Sequence, residues 1–209
     1  MSEDIKLSVL VCGLYERMPR GHWPDAENGG VLVSESGVVA QAEGKPVQVI
    51  TLYDNRVWTV GQKRNRLLWM AEGEYLAFVD DDDEVAGDYV ARLLEAIGKA
   101  KGSDVICFRQ DAIRGDLGGR VEVCRYGLGL AYRSGVGPDG GMWWEGKPAH
   151  TMCWRTDLVQ DIPFPDGDFG EDMWWVTRAC GRAKTEYWIP NWTGYTYHFN
   201  PEKSRTRGK

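Results

Sequence analysis

Apolar runs of strand length alternate with helix-spaced apolar positions through the first hundred residues. Leu7 to Leu14 (LSVLVCGL) is nearly all apolar and predicts a buried strand. Val31, Val38, Val39 and Ala42 recur at helical spacing, against the weakening effect of Gly29, Gly30 and Gly37. Val47 to Tyr53 is β-rich and stops at Asp54-Asn55, a turn signal. Gln62 to Ala71 reads as a helix, Tyr75 to Val79 as a strand, Tyr89 to Ala100 as a helix and Asp104 to Phe108 as a strand. This alternation predicts an α/β domain with a mainly parallel sheet and right-handed crossovers. Ligands in such sheets sit beyond the carboxyl ends of the strands. Three predicted ends carry polar or acidic residues: Tyr15-Glu16-Arg17, Asp54-Asn55 and Asp80 to Asp83.

The pattern changes after about residue 110. Residues 114 to 147 hold ten glycines and two short β-like pieces, which predicts loops and a hairpin long enough to form a lid or binding loop. A helix is predicted from Phe169 to about Gly181, then strands at Thr185 to Ile189 and Tyr195 to Phe199. Seven of the ten tryptophans lie beyond residue 140. The two halves of one domain, about 1–110 and 111–200, are therefore expected to do different work, with a basic tail over 201–209.

Composition narrows the class. The 209 residues suit a single domain, and 43% hydrophobic with 27% charged residues excludes a disordered chain. No apolar run reaches the ~18 residues needed to span a bilayer, so no membrane partner is expected. The acidic start Met1-Ser2-Glu3-Asp4 leads straight into a strand-like run, and no signal peptide is expected. Five scattered cysteines without a Cys-x-x-Cys pair argue against a disulfide framework or zinc site and for a reducing cytoplasm. A net charge of −6 speaks against broad nucleic-acid binding, apart from the tail Lys203 to Lys209 with four basic residues in seven.

The sharpest chemical signal is Phe78-Val79-Asp80-Asp81-Asp82-Asp83, four carboxylates ending a buried strand. Like charges this close repel and need a compensating positive charge. A hard divalent cation, Mg²⁺ or Mn²⁺, with oxygen ligands would bridge such a cluster to a phosphate. A solvated acidic turn capping the helix near Asp88 is the alternative. An EF-hand is excluded, since Val85 stands where its loop glycine belongs.

These residues resemble the family-2-type nucleotide-sugar glycosyltransferases of GT-A fold. The family's strand-end Asp-x-Asp, which binds the metal of a nucleoside-diphosphate sugar, matches Asp80-Asp81-Asp82-Asp83. An acidic residue at the second strand end that contacts the base matches Asp54. A Gly…Arg-Asn segment opening a helix matches Gly61-Gln62-Lys63-Arg64-Asn65, and a Glu-Asp pair at a helix start below the acceptor matches Glu171-Asp172. The resemblance covers residues 5 to 110 well and 150 to 200 thinly. It departs at the first strand, which ends Cys12-Gly13-Leu14-Tyr15-Glu16 rather than in the usual Pro-Thr-Tyr-Asn, and in the glycine-rich segment before Asp54.

The resemblance implies a donor half over about 1–110, an acceptor half after it, and inverting transfer from a UDP-sugar to a hydroxyl. Asp80, Asp82, Asp83 and a late histidine, His198, would hold Mn²⁺ or Mg²⁺, and Asp80 and Asp81 would face the nucleotide. Lys63 and Arg64 would hold the diphosphate, or else be solvated or ion-paired helix charges. Asp172 would take the acceptor proton, or else be a first-turn acid. Asp168 and Glu171 have capping-box spacing, which by itself accounts for Glu171. His198 is otherwise a packed or surface residue, and His150 and His22 have weaker claims as ligands. Lys203 and Arg205 would close over the diphosphate or lie in a disordered tail. Trp143-Trp144 and Trp174-Trp175 offer flat faces for a sugar or base, with at most one of the latter pair facing a site. The acceptor would be a glycan or another hydroxyl-bearing molecule, with a modified nucleic-acid base left open but not favoured. The rival functions are a haloacid-dehalogenase-like phosphatase with Asp80 as nucleophile, and a non-catalytic tryptophan-rich module for glycan or nucleic acid.

Overall fold

The computed structural model describes residues 4–17 and 37–199. Val31, His22, the 19–24 segment, Lys203 and Arg205 lie outside the described residues. Strand β1 (Leu7–Leu14) is buried along its whole length, because its apolar side chains leave no face suited to water. It pairs in parallel with β2 (Val47–Asp54) on one side and β3 (Tyr75–Asp80) on the other. Helix α1 (Val38–Ala42) precedes β2 and α2 (Val60–Met70) follows it. After the acidic turn come β4 (Glu84–Val85) and α3 (Tyr89–Ala100). Tyr89, Leu93, Ala96, Ile97 and Ala100 form the buried stripe of α3, at the 3–4-residue spacing that marks a core-facing helix.

The chain continues through β5 (Val105–Arg114), β6 (Arg120–Tyr126), β7 (Arg133–Val136), β8 (Met142–Gly146) and β9 (Cys153–Arg155), then α4 (Thr156–Val159), α5 (Glu171–Arg182) and β10 (Glu186–Phe199). Among the described residues these ten strands make one sheet, in the order β2-β1-β3-β9-β5-β6-β8-β7. β10 runs parallel along β5 and carries β4 on it antiparallel. The long ladders are parallel, and β9 is antiparallel to both β3 and β5, so it joins the two halves of the mixed sheet.

Two expectations change, and two short elements are added. The glycine-rich stretch forms the strands β6, β7 and β8 rather than mainly loops. Glycine lowers strand propensity, but a free sheet edge supplies ladder partners that override it. The two late strands are one strand, β10, whose register breaks between Trp188 and Thr193, with Asn191 at φ 53°. Asparagine tolerates that left-handed conformation better than most residues. β9 and α4 span only three and four residues, too short for periodicity to register.

Asp104 ties the start of β5 to the approach to β10. Its Oδ2 accepts from the backbone N–H groups of Lys184 (2.7 Å) and Thr185 (3.0 Å), and Oδ1 meets Arg155 at 2.9 Å. Burial opposes its ionisation, but these donors outweigh burial and hold the carboxyl below its ordinary value of 3.8. A lowered folded value means stability that is complete above 3.8 and drains away as pH falls through the folded value. Asp104→Asn should therefore be less stable than wild type near neutrality. Its unfolding free energy should also fall less steeply between about pH 4 and 2, measured by urea titration at each pH. Equal acid slopes would exclude Asp104 from the acid transition.

Candidate active site

The parallel register sets Leu14 opposite Asp54 and Cys12 opposite Asp80, so the ends of β1, β2 and β3 share one edge of the sheet. At that edge the four aspartates do different things. Asp81 Oδ2 accepts from the Leu14 N–H at 2.8 Å, locking the turn to β1. Asp83 is buried; its Oδ2 accepts from the Tyr195 hydroxyl (2.6 Å) and Oδ1 from the His198 N–H (2.8 Å). Burial, and then the charge of Asp80, push the Asp83 carboxyl well above its ordinary range. Asp82 is exposed, and Asp80 is partly so. Capping of α3 does not account for the cluster. The N-cap residue is Asp88, which makes no side-chain cap bond and accepts instead from Trp192 Nε1 at 3.0 Å.

The Gly61-to-Asn65 segment is where α2 docks onto the chain leading to α5. Gly61 lets the backbones meet: a Cβ there would lie 2.0 Å from the Pro165 carbonyl oxygen, and its N–H donates to the Gly167 carbonyl at 3.0 Å. Asn65 grips Phe164 twice, donating to its carbonyl (2.9 Å) and accepting from its N–H (2.7 Å). Thr59 and Gln62 form the capping box of α2 and both donate to Asp166, at 2.7 and 2.9 Å. Asp168 Oδ1 accepts from the Val60 N–H at 2.9 Å. Behind this seam Trp175 stacks on Phe164 (5.0 Å, 2° between planes) and meets Trp154 and Phe78 edge-on.

The two basic residues of the segment turn inward. Lys63 is buried; its Nζ donates to Asp54 Oδ1 (2.9 Å) and the Gly13 carbonyl (2.8 Å). Asp54 Oδ2 accepts from the Trp58 N–H at 2.7 Å. Burial works against its ionisation, yet that N–H and the ammonium hold it below the ordinary range. Arg64, 4% exposed, joins three groups. Nη1 donates to Glu171 Oε1 (2.7 Å), and Nη2 to Asp80 Oδ1 (2.8 Å) and Oδ2 (3.1 Å), with His150 Nε2 at 3.0 Å from Nη2. Burial disfavours the Asp80 anion, but the guanidinium outweighs it and holds that carboxyl well below the usual carboxylate range.

A cavity of about 490 Å³ opens over this network, lined by Arg64, Asp80, His150 and Asp172 on its polar side. Tyr126, Tyr132 and Trp144 form its aromatic wall, with ring centroids 5.2 Å (Tyr126–Trp144) and 5.7 Å (Tyr132–Trp144) apart. Asp172 is half-exposed; its Oδ1 accepts from the Met173 N–H (2.7 Å), and Oδ2 lies 3.8 Å from His150 Nδ1. A carboxylate bordering a half-apolar chamber suits proton abstraction from a bound hydroxyl.

The structure brings Arg64, Asp80 and Asp172 to one cavity and sends other candidates elsewhere. Lys63, Asp54 and Asn65 direct their polar groups into the protein, so their geometry here is that of scaffold. Asp83 and the His198 backbone hold β10 to the turn, and His198 Nε2 faces Glu84 at 3.2 Å. Among the described residues no three His, Cys, Asp or Glu side chains converge on one point as a ready-made metal cage. Trp175 is core, and Trp174 lies under the Arg178 guanidinium rather than in the cavity. His150, with only a weak claim in the sequence, borders both Asp80 and Asp172. Tyr126 and Tyr132 carry no signal in the sequence, because no periodicity marks residues that meet across a sheet edge.

Glu171 requires a correction. The N-cap of α5 is Gly170 at φ 74°, without a side-chain cap, and Asp168 bonds Val60, so no Asp168–Glu171 capping box forms. Glu171 is instead the buried ion-pair partner of Arg64. Burial pushes its carboxyl upward, with the guanidinium opposing. Glu171→Gln keeps an acceptor but loses the charge. It should cost about 2 kcal/mol and lower the melting temperature by about 4–8 °C, whereas a helix-capping residue would tolerate Gln.

The sequence model of glycosyl transferase family 2 matches residues 35–160, more than half of the chain. No curated protein matches it. Among solved structures, S. aureus TarS 1-349 in complex with UDP-GlcNAc superposes with a TM-score of 0.58 at 19% identity, covering 98% of this chain and 61% of that one. The TarS 1-349 complex with UDP gives 0.54 at 20% identity, covering 94% and 61%. This chain thus spans about three-fifths of those structures, and at such identities the likeness shows a shared GT-A fold. The family match places α2, the acidic turn and the cavity wall inside one homologous unit, and the chain belongs to glycosyl transferase family 2.

Proposed function

We propose that this chain moves a sugar from a nucleoside-diphosphate sugar, a UDP-sugar, to a hydroxyl of an acceptor glycan, with inversion. The observation carrying this reading is Asp172 bordering an aromatic-walled cavity that is also lined by Asp80 at the end of β3. The acceptor hydroxyl gives its proton to Asp172 Oδ2 and its oxygen bonds to the sugar's anomeric carbon. The bond from that carbon to the diphosphate breaks, and its electron pair leaves with the nucleotide. The rings of Trp144, Tyr132 and Tyr126 suit the apolar face of a sugar. The TarS 1-349 complexes with UDP-GlcNAc and UDP support the donor class.

The fold family implies a divalent cation. Hard cations that keep water and substrate phosphate need only one or two protein carboxylates, which fits Asp80 and Asp82 and leaves Asp83 to its structural bonds. Mn²⁺ or Mg²⁺ would supply charge neutralisation of the departing diphosphate. The phosphatase alternative is disfavoured because both Asp80 oxygens accept from Arg64.

Calorimetry with UDP, and UDP release from UDP-GlcNAc with and without glycan acceptors, test the reading. UDP should bind in Mn²⁺ and lose most affinity in EDTA, since an acidic turn repels a diphosphate. Asp82→Asn should weaken Mn²⁺-supported binding by about tenfold or more, or 1.4 kcal/mol. Equal affinity in Mn²⁺ and EDTA removes the cation from the reading, and failure to bind any nucleoside diphosphate removes the donor.

A further inference from the structure

We propose that His150 is a positioning residue that aims the proton-accepting oxygen of Asp172 from a tautomer imposed by Arg64. The inference rests on the reading of Asp172 as general base. The His150 side chain is 12% exposed, with its ring against Phe78 at 6.3 Å, so packing limits its rotation. Its Nε2 lies 3.0 Å from Arg64 Nη2 and 3.5 Å from Asp80 Oδ2. A guanidinium has donors and no acceptor, and the Asp80 oxygen, farther from Nε2 (3.5 Å) than Nη2 is (3.0 Å), already accepts from Arg64, so Nε2 presents its lone pair to Nη2. A neutral imidazole carries one N–H, which therefore sits on Nδ1. Nδ1 faces Asp172 Oδ2 at 3.8 Å, a separation that contracts to a hydrogen bond when substrate fills the site, as catalytic contacts commonly do.

The carboxylate is thereby held at both oxygens. Asp172 Oδ1 accepts from the Met173 N–H, which leaves Oδ2 to meet the acceptor hydroxyl. The Nδ1–H of His150 sets the direction of Oδ2 without taking the proton, because Nδ1 has no lone pair to receive it. Arg64 fixes His150 and also binds Asp80, so one buried guanidinium aligns the acceptor side with the donor side of the cavity.

Tautomer and rate test this separately. With ¹⁵N-histidine labelling at about pH 8, above the ordinary histidine range, long-range ¹H–¹⁵N spectra should show Nδ1 protonated and Nε2 bare. The three histidines of the chain are told apart with His150→Gln. An Nε2–H or doubly protonated ring overturns the proposal, whatever the enzyme's donor.

In single-turnover UDP release from UDP-GlcNAc, His150→Gln keeps an acceptor for Arg64 but offers Asp172 nothing. It should lose about 10- to 100-fold in rate at unchanged UDP affinity. His150→Asn places an N–H near the Nδ1 position and should recover most of that loss. In an Asp172→Asn background His150→Gln should have almost no further effect. The same factor persisting there, or Asn failing as badly as Gln, overturns the positioning role while leaving Asp172 as base. A wild-type protein that binds UDP but releases none from UDP-GlcNAc counts against the transfer reading, and the tautomer result still decides this one.

Discussion

Asp172→Asn is expected to retain the fold and UDP affinity and to lose about 10²- to 10⁴-fold in transfer, the usual loss on removing a general base. The asparagine keeps the shape and an oxygen for the Met173 N–H, but it cannot take a proton from the acceptor. Donor binding should stand because Asp80 ends β3 and Asp82 lies in the turn that follows, whereas Asp172 lies in the first turn of α5. The measurement pairs single-turnover transfer with UDP calorimetry on one preparation. Near-wild-type transfer by this variant would eliminate Asp172 from the mechanism. Glu171→Gln offers the contrast: its carboxylate faces Arg64 inside the protein, so its defect should appear in melting temperature first. A severe transfer defect in Glu171→Gln alongside an active Asp172→Asn would move the base one residue upstream.

Arg64→Leu is expected to be the most destabilising single change at the site, by about 3–5 kcal/mol, which lowers the melting temperature by about 6–20 °C. The loss does not measure the net contribution of the ion pairs. It arises because Glu171 and Asp80 would remain in a poorly solvated setting without the guanidinium that holds them ionised. Two pH effects of opposite sign accompany it. Asp80 has a lowered folded value, so its stability is present above 3.8 and lost as pH falls. Glu171 has a raised folded value, so its contribution is greatest below 4.5 and declines as pH rises through that folded value. In Arg64→Leu both carboxyls should favour their protonated forms, and the variant's stability maximum should move to lower pH than that of wild type. Chemical denaturation across pH reads this out; an unchanged maximum with a small loss of stability would show that water, rather than Arg64, compensates these carboxylates.

The motif Gly61-Gln62-Lys63-Arg64-Asn65 shows how much of the site could be read from residue order. Its resemblance pointed to a segment of which Arg64 lines the cavity, while the bonds of Lys63 and Asn65 are internal: one braces Asp54 and the β1 end, and the other fastens Phe164. A basic residue in a ligand-binding motif can touch the ligand or brace the loop that does. Its charge is the same in both cases, and only burial and partners separate them. The acidic turn divides in the same way, since Asp83 and Asp82 are adjacent yet one is buried against Tyr195 and the other is exposed.

Local pattern was enough for β1, β2, β3, α2 and α3, because each carries its own signal: an unbroken apolar run, a turn signal, or an apolar stripe at helical spacing. It was also enough for the shared edge, since parallel strands present their carboxyl ends together and the acidic residues stand at those ends. It was not enough for β6, β7, β8 and β9, whose strand character comes from partners across a ladder rather than from propensity. Nor did it place His150 between Asp80 and Asp172. That contact joins residues 70 and 22 positions away along the chain, and it exists because the α2 seam carries α5 to the end of β3. Periodicity reports the solvent exposure of neighbouring positions. Which distant side chains meet, and whether a charge ends in water or on an arginine, is decided by the packing of complete elements.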